Sequence, residues 1–143
     1  SGMSTVGIIA VIVLVLLIPI GGIITAITIP AYHDYTLRAK IAQAIANTAV
    51  IKHTFEEHAS QTGYWPNTFE RAGLDESDFS NENYRVTLAG DGAYQILFIK
   101  PKSLASIRLN FVPELNSDGS YRWVCSSVDL GVRILPKECR SDK

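Results

Sequence analysis

From Val6 to Ile29 the chain is an unbroken run without a charged side chain, and it leads into Pro30-Ala31-Tyr32-His33-Asp34-Tyr35. A helix rises about 1.5 Å per residue, so these roughly 24 residues reach about 36 Å, enough to cross a hydrocarbon core of about 30 Å. Nothing acidic or basic precedes His33. The chain is therefore expected to begin as a membrane helix and to turn amphipathic at a proline. The run is too long for the core of a cleaved signal peptide and no small-residue cleavage site follows it, so it reads as a retained anchor. Pro19 removes one backbone donor inside the run, and Gly21-Gly22 weaken the helix further, which predicts a kink there. Proline and glycine are also common in membrane helices, so this alone does not show assembly.

Beyond Pro30 the pattern changes period. Ile41, Ala44, Thr48, Ile51, Phe55 and Ala59 fall at steps of three and four, which places them on one helical face, while Gln43, Asn47, Lys52, Glu56 and Glu57 lie largely off it. Gly63 ends the helix, and Thr62 to Asn83 reads as a connection. Alternation then takes over. Tyr84, Val86 and Leu88 predict one strand, Tyr94, Ile96 and Phe98 a second, Ile107, Leu109 and Phe111 a third, and Tyr121, Trp123 and Cys125 a fourth. Gly90-Asp91-Gly92 and Asn116-Ser117-Asp118-Gly119 supply turn chemistry between the first and last pairs. Four meandering strands under one amphipathic helix make an α+β fold around one core.

With 143 residues and about 24 of them in the apolar run, there is room for one modest globular domain. The expected division is 1–5 as a short N-terminus, with Ser1-Gly2 ahead of Met3 read as a tag remnant, 6–29 as the transmembrane half-helix, and 30–143 as the globular domain. A formal net charge of −1 gives no reason to expect a nucleic-acid partner. Nucleotide-binding, zinc-protease and serine-hydrolase motifs are all absent, so neither a cofactor nor a small-molecule substrate is expected.

Two stretches at opposite ends carry a family resemblance. Ala26-Ile27-Thr28-Ile29-Pro30-Ala31-Tyr32-His33-Asp34-Tyr35-Thr36-Leu37-Arg38-Ala39-Lys40 resembles the first-helix motif of type IV pilins. Trp123-Val124-Cys125 together with Ile134-Leu135-Pro136-Lys137-Glu138-Cys139-Arg140 resembles the C-terminal disulfide loop of the major-pilin subclass. The resemblance implies a pilin fold, a Cys125–Cys139 bridge, and helix packing or assembly through Pro19, Gly21, Gly22, Pro30, Tyr32 and Tyr35. A bridge closing about 15 residues contributes roughly 3 kcal/mol on the chain-entropy model. It also needs an oxidising compartment, which places the domain in the periplasm or on the cell surface, anchored in the bacterial inner membrane. Arg38 and Lys40 after the run, with nothing basic before it, point the other way by charge counting alone; Asp34 partly offsets them.

The chain departs from the family at its start. Aligned on Ile29-Pro30-Ala31-Tyr32, the family's cleavage glycine falls at Ile8, its first mature residue at Ile9 and its fifth-residue glutamate at Val13. In pilins that glutamate pairs with a neighbour's N-terminal amine during assembly. Two functions are therefore weighed: a pilus-associated structural subunit, with pilin subunits or pilus assembly proteins as partners, and a membrane-tethered pilin-like binding protein that does not polymerise, such as a receptor, an assembly modulator or an inhibitor of an exported factor. The absent glycine and glutamate favour the second, and the fold resemblance the first.

Other chemistry is thin. His53, Glu56, Glu57 and His58 are ligand types, but His58 points about 100° away from Glu57 on a helix, so no metal site is expected. Arg133, Lys137, Arg140 and Lys143 form a basic group interleaved with Glu138 and Asp142, which reads as a solvated tail. Tyr64 and Trp65 read either as an adhesive contact or as a cap on the end of the core. Enzymatic activity is not expected.

Overall fold

A computed structural model of the chain describes residues 4–127 and 132–140, and for residues 21–30 and 132 the backbone alone. One helix, α1, runs from Thr5 to Thr62. The chain divides into two units, Ser1–Thr36 and Leu37–Lys143, and α1 contributes to both.

In the first unit α1 continues through Pro19 and Pro30 without interruption. The apolar side chains from Val6 to Ile20 are exposed. Among the described residues no helix is long and apolar enough to cross a membrane. The span expected at 6–29 includes residues 21–30, whose side chains lie outside the described set.

In the second unit the helical stripe is buried, with two corrections to its extent. It begins a turn earlier than expected, at Leu37, and continues through Ile41, Ala44, Thr48, Ile51 and Phe55. Ala59, expected to close the stripe, is only half-buried, and Phe69 takes up the packing against Phe55 at 6.1 Å between ring centroids. Gly63 stops the helix in a left-handed conformation (φ 83°), with its N–H donating to the Ala59 carbonyl at 2.8 Å.

The four expected strands are β1 (Tyr84–Gly90), β2 (Ala93–Phe98), β3 (Arg108–Leu115) and β4 (Tyr121–Ser126). They form one antiparallel sheet in the order β1-β2-β3-β4. Register places Leu88 opposite Tyr94, Tyr94 opposite Phe111 and Phe111 opposite Cys125, so inward residues line up across the sheet. Asp91 and Gly92 form a two-residue β1–β2 turn with positive φ at both positions (54° and 85°), the requirement that Asp-Gly meets best. Pro113 lies in β3 past the last residue paired with β2, where its missing N–H breaks no ladder bond. The core is filled by Tyr94, Phe55, Ile41, Ile51, Ile96, Leu104 and Leu109, all fully buried.

The connection from Thr62 to Asn83 is more structured than a bare loop. Short 3-10 turns at Glu70–Ala72 and Glu76–Asp78 carry Phe69 and Phe79 into the core, stacked at 5.6 Å.

Candidate functional site

The C-terminal closure is built from β4 outward. Cys125, on its inward face, is bonded to Cys139, with 4.6 Å between their Cα atoms. Cys139 and Leu135 are buried, so the tail is packed as well as bonded. The Arg38 guanidinium donates from Nε to the Arg133 carbonyl at 3.1 Å, tying this loop to α1. Arg140 Nε donates to the Leu135 carbonyl at 3.1 Å, which holds the tail's own turn. The basic group expected there is thus partly used in shaping the loop; Lys143 lies outside the described residues, as do Asp142 and Ser1-Gly2.

Two polar residues on α1, expected to lie off the packed face, face the sheet at its margin instead. The Lys52 ammonium sits 4.6 Å from the centre of the Phe111 ring. Burial holds Lys52 below the ordinary lysine range, and the Glu138 carboxylate partly restores it. One turn on, Glu56 Oε1 accepts a hydrogen bond from Trp123 Nε1 at 2.6 Å. Sequence reading missed both, because each partner lies more than fifty residues away. The Tyr94 hydroxyl is buried beside Thr48; burial raises its pKa far above the ordinary phenol range, and Thr48 offsets this only in part.

Trp65 caps the end of the core. Its ring lies 4.9 Å from Tyr121 and 6.1 Å from Trp123 by centroids, edge to face in both cases. It also lies across Gly92, where a Cβ would come within 2.5 Å of the indole. Tyr64 stays exposed and meets His58 edge-on at 5.7 Å. Of the ligand-type cluster, Glu56 is turned to Trp123, Glu57 accepts from Gln61 at 3.4 Å, His58 packs on Tyr64 and His53 is exposed. The four do not converge.

The residues expected in helix packing fall in the first unit. Pro19, Tyr32 and Tyr35 are exposed, the tyrosines one turn apart, and the Tyr32 carbonyl accepts from Thr36 Oγ1 at 2.9 Å. The packing of Gly21, Gly22 and Pro30 lies outside what is described, since for residues 21–30 only the backbone is.

A long N-terminal helix, a four-stranded meander and a disulfide-closed tail together define a pilin-type α+β fold. A family model described as pilin, a bacterial filament protein, matches residues 37–140, and the chain belongs to the pilin family. It is 28% identical over 133 residues to the fimbrial protein EcpC of Eikenella corrodens, covering 90% of this chain and 86% of that one. It is 29% identical over 157 aligned positions to the type IV major pilin protein PilE1 of Neisseria gonorrhoeae, covering 90% of each. A type IV major pilin protein PilE of the same organism is 30% identical over 121 residues, covering 78% of this chain and 69% of the relative. These similarities make it a type IV pilin-like protein, of a structural rather than an enzymatic family.

Proposed function

We propose that the chain is a structural pilus-associated subunit, anchored in the bacterial inner membrane by residues 6–29, with its domain 30–143 in the periplasm and other pilin subunits or pilus assembly proteins as partners. The observation that carries this reading is the exposed apolar half of α1, from Val6 to Ile20. So large an unbroken apolar surface marks a membrane or protein contact. Lipid and neighbouring apolar helices both satisfy it, since helices pack by van der Waals contact in an apolar medium.

Val13 favours a second reading. It stands where the family resemblance places a glutamate, and an uncharged side chain cannot penalise wrong docking as an unpaired buried carboxylate does. A non-polymerising, membrane-tethered binding protein follows from that. Electron microscopy of sheared filaments, with labelling of the full chain and fractionation of the membranes, separates the two. Labelled regular thin filaments support the subunit. Recovery in the inner membrane alone supports the tethered protein, and recovery outside both membrane and filament overturns both.

A further inference from the structure

A cleft of about 50 Å³ opens between α1 and the sheet, with Ala44 and Phe98 as its apolar floor and Lys40, Gln43, Asn83, Tyr84 and Lys100 as its polar lining. The fold holds these residues together. The Asn83 carbonyl accepts from the backbone N–H groups of Ile99 at 2.7 Å and Lys100 at 3.1 Å, which fixes Lys100 beside Asn83. Tyr84 is only 8% exposed, and its hydroxyl oxygen accepts from Asn47 Nδ2 at 3.3 Å. That bond uses the oxygen as acceptor and leaves the hydroxyl proton to be donated elsewhere.

The lining is one-sided in its chemistry. It offers two ammonium groups, two amides and a nearly buried hydroxyl, and none of the lining residues is acidic. Among the described residues neither lysine takes part in an ion pair. Two like charges brought to one cleft repel unless an anion lies between them. The volume suits a single compact group, a few waters in size, rather than a nucleotide or a peptide. A carboxylate would balance one of the two charges. A phosphate group at neutral pH carries nearly two, with enough acceptor oxygens for all five donors.

We propose that this cleft binds a phosphate group, either free or as a monoester on a larger molecule. The test uses the detergent-solubilised full chain, titrated with inorganic phosphate, with methyl phosphate and with acetate at constant ionic strength. The side-chain amide signals of Gln43 and Asn83 are followed by NMR. Saturable shifts at both amides with either phosphate are expected, and Lys40→Gln with Lys100→Gln should weaken binding by about tenfold or more. Preference for methyl phosphate identifies an ester as the source, and preference for inorganic phosphate the free ion. Equal shifts with acetate, shifts spread over the whole surface, or shifts unchanged in a doubly substituted protein that unfolds at the wild-type temperature would overturn the assignment.

Discussion

Between Val6 and Ile20 the apolar side chains of α1 go right round the helix and stand open, with Val6 76% and Ile18 74% exposed, whereas the stripe of Leu37, Ile41, Ala44, Ile51 and Phe55 keeps to one face and is at most 5% exposed, with Val50 off that face and open. Both stretches are uninterrupted helix, and both are rich in apolar residues. What separates them is period. A stripe at steps of three and four can be covered by one sheet, and the sheet of this domain covers it. A helix apolar on all sides cannot be covered by a single sheet. Burial thus follows the arrangement of apolar residues more than their number.

The largest effect expected to sharpen this contrast is at Phe55. Phe55→Ala removes a fully buried ring and should lower the stability of the globular domain by about 3–5 kcal/mol in a denaturant titration of the detergent-solubilised chain. Leu14→Ala, in the exposed half, should change the same transition by less than about 0.5 kcal/mol. Equal losses would dissolve the distinction between the two halves.

The disulfide comes next. Replacing Cys125 and Cys139 by serine should cost roughly 3 kcal/mol in the same measurement. Intact mass under non-reducing conditions should be two hydrogens below that of the reduced protein. A smaller effect follows from Gly92→Ala, which puts a methyl group into the Trp65 ring at a position with φ 85°. About 2 kcal/mol is expected, accompanied by a change in tryptophan fluorescence as Trp65 leaves Tyr121 and Trp123.

The smallest effect is a pH dependence at Lys52. Its folded pKa lies below the ordinary 10.5, mainly through burial. In the alkaline range the folded chain then releases this proton before the unfolded chain does, so stability rises with pH. The contribution is complete above 10.5 and is lost as pH falls through the folded value. Lys52→Met should flatten that rise. Near pH 4 and below, Asp75 and Asp118 are expected to act, since bonds from Ser77 and Ser120 lower both carboxyls below 3.8 and their stabilisation is lost on acidification.

Much of the fold was legible because its signals are local. The stripe from Ile41 to Phe55, the alternation in all four strands and the Asp91-Gly92 turn are written in neighbouring residues. The pairing of Cys125 with Cys139 was legible through family resemblance. Contacts between distant elements were not. Nothing beside Glu56 announces Trp123, nothing beside Arg38 announces the Arg133 carbonyl, and nothing beside Lys40 announces Lys100. Phe69 and Phe79 were hidden for a related reason: single aromatics in a polar connection carry no period.

Sequence by itself determined which segments are helix and strand, where the turns fall and which face of each element is apolar, because backbone preference and side-chain period act within a few residues. Only the tertiary structure decided that Lys52 lies over Phe111, that Trp65 closes over Gly92, and that Lys40, Asn83 and Lys100 line one cleft. These contacts depend on how the elements are brought together around the core. Packing a helix on a sheet fixes such distances through many residues at once, and no short stretch of sequence contains them.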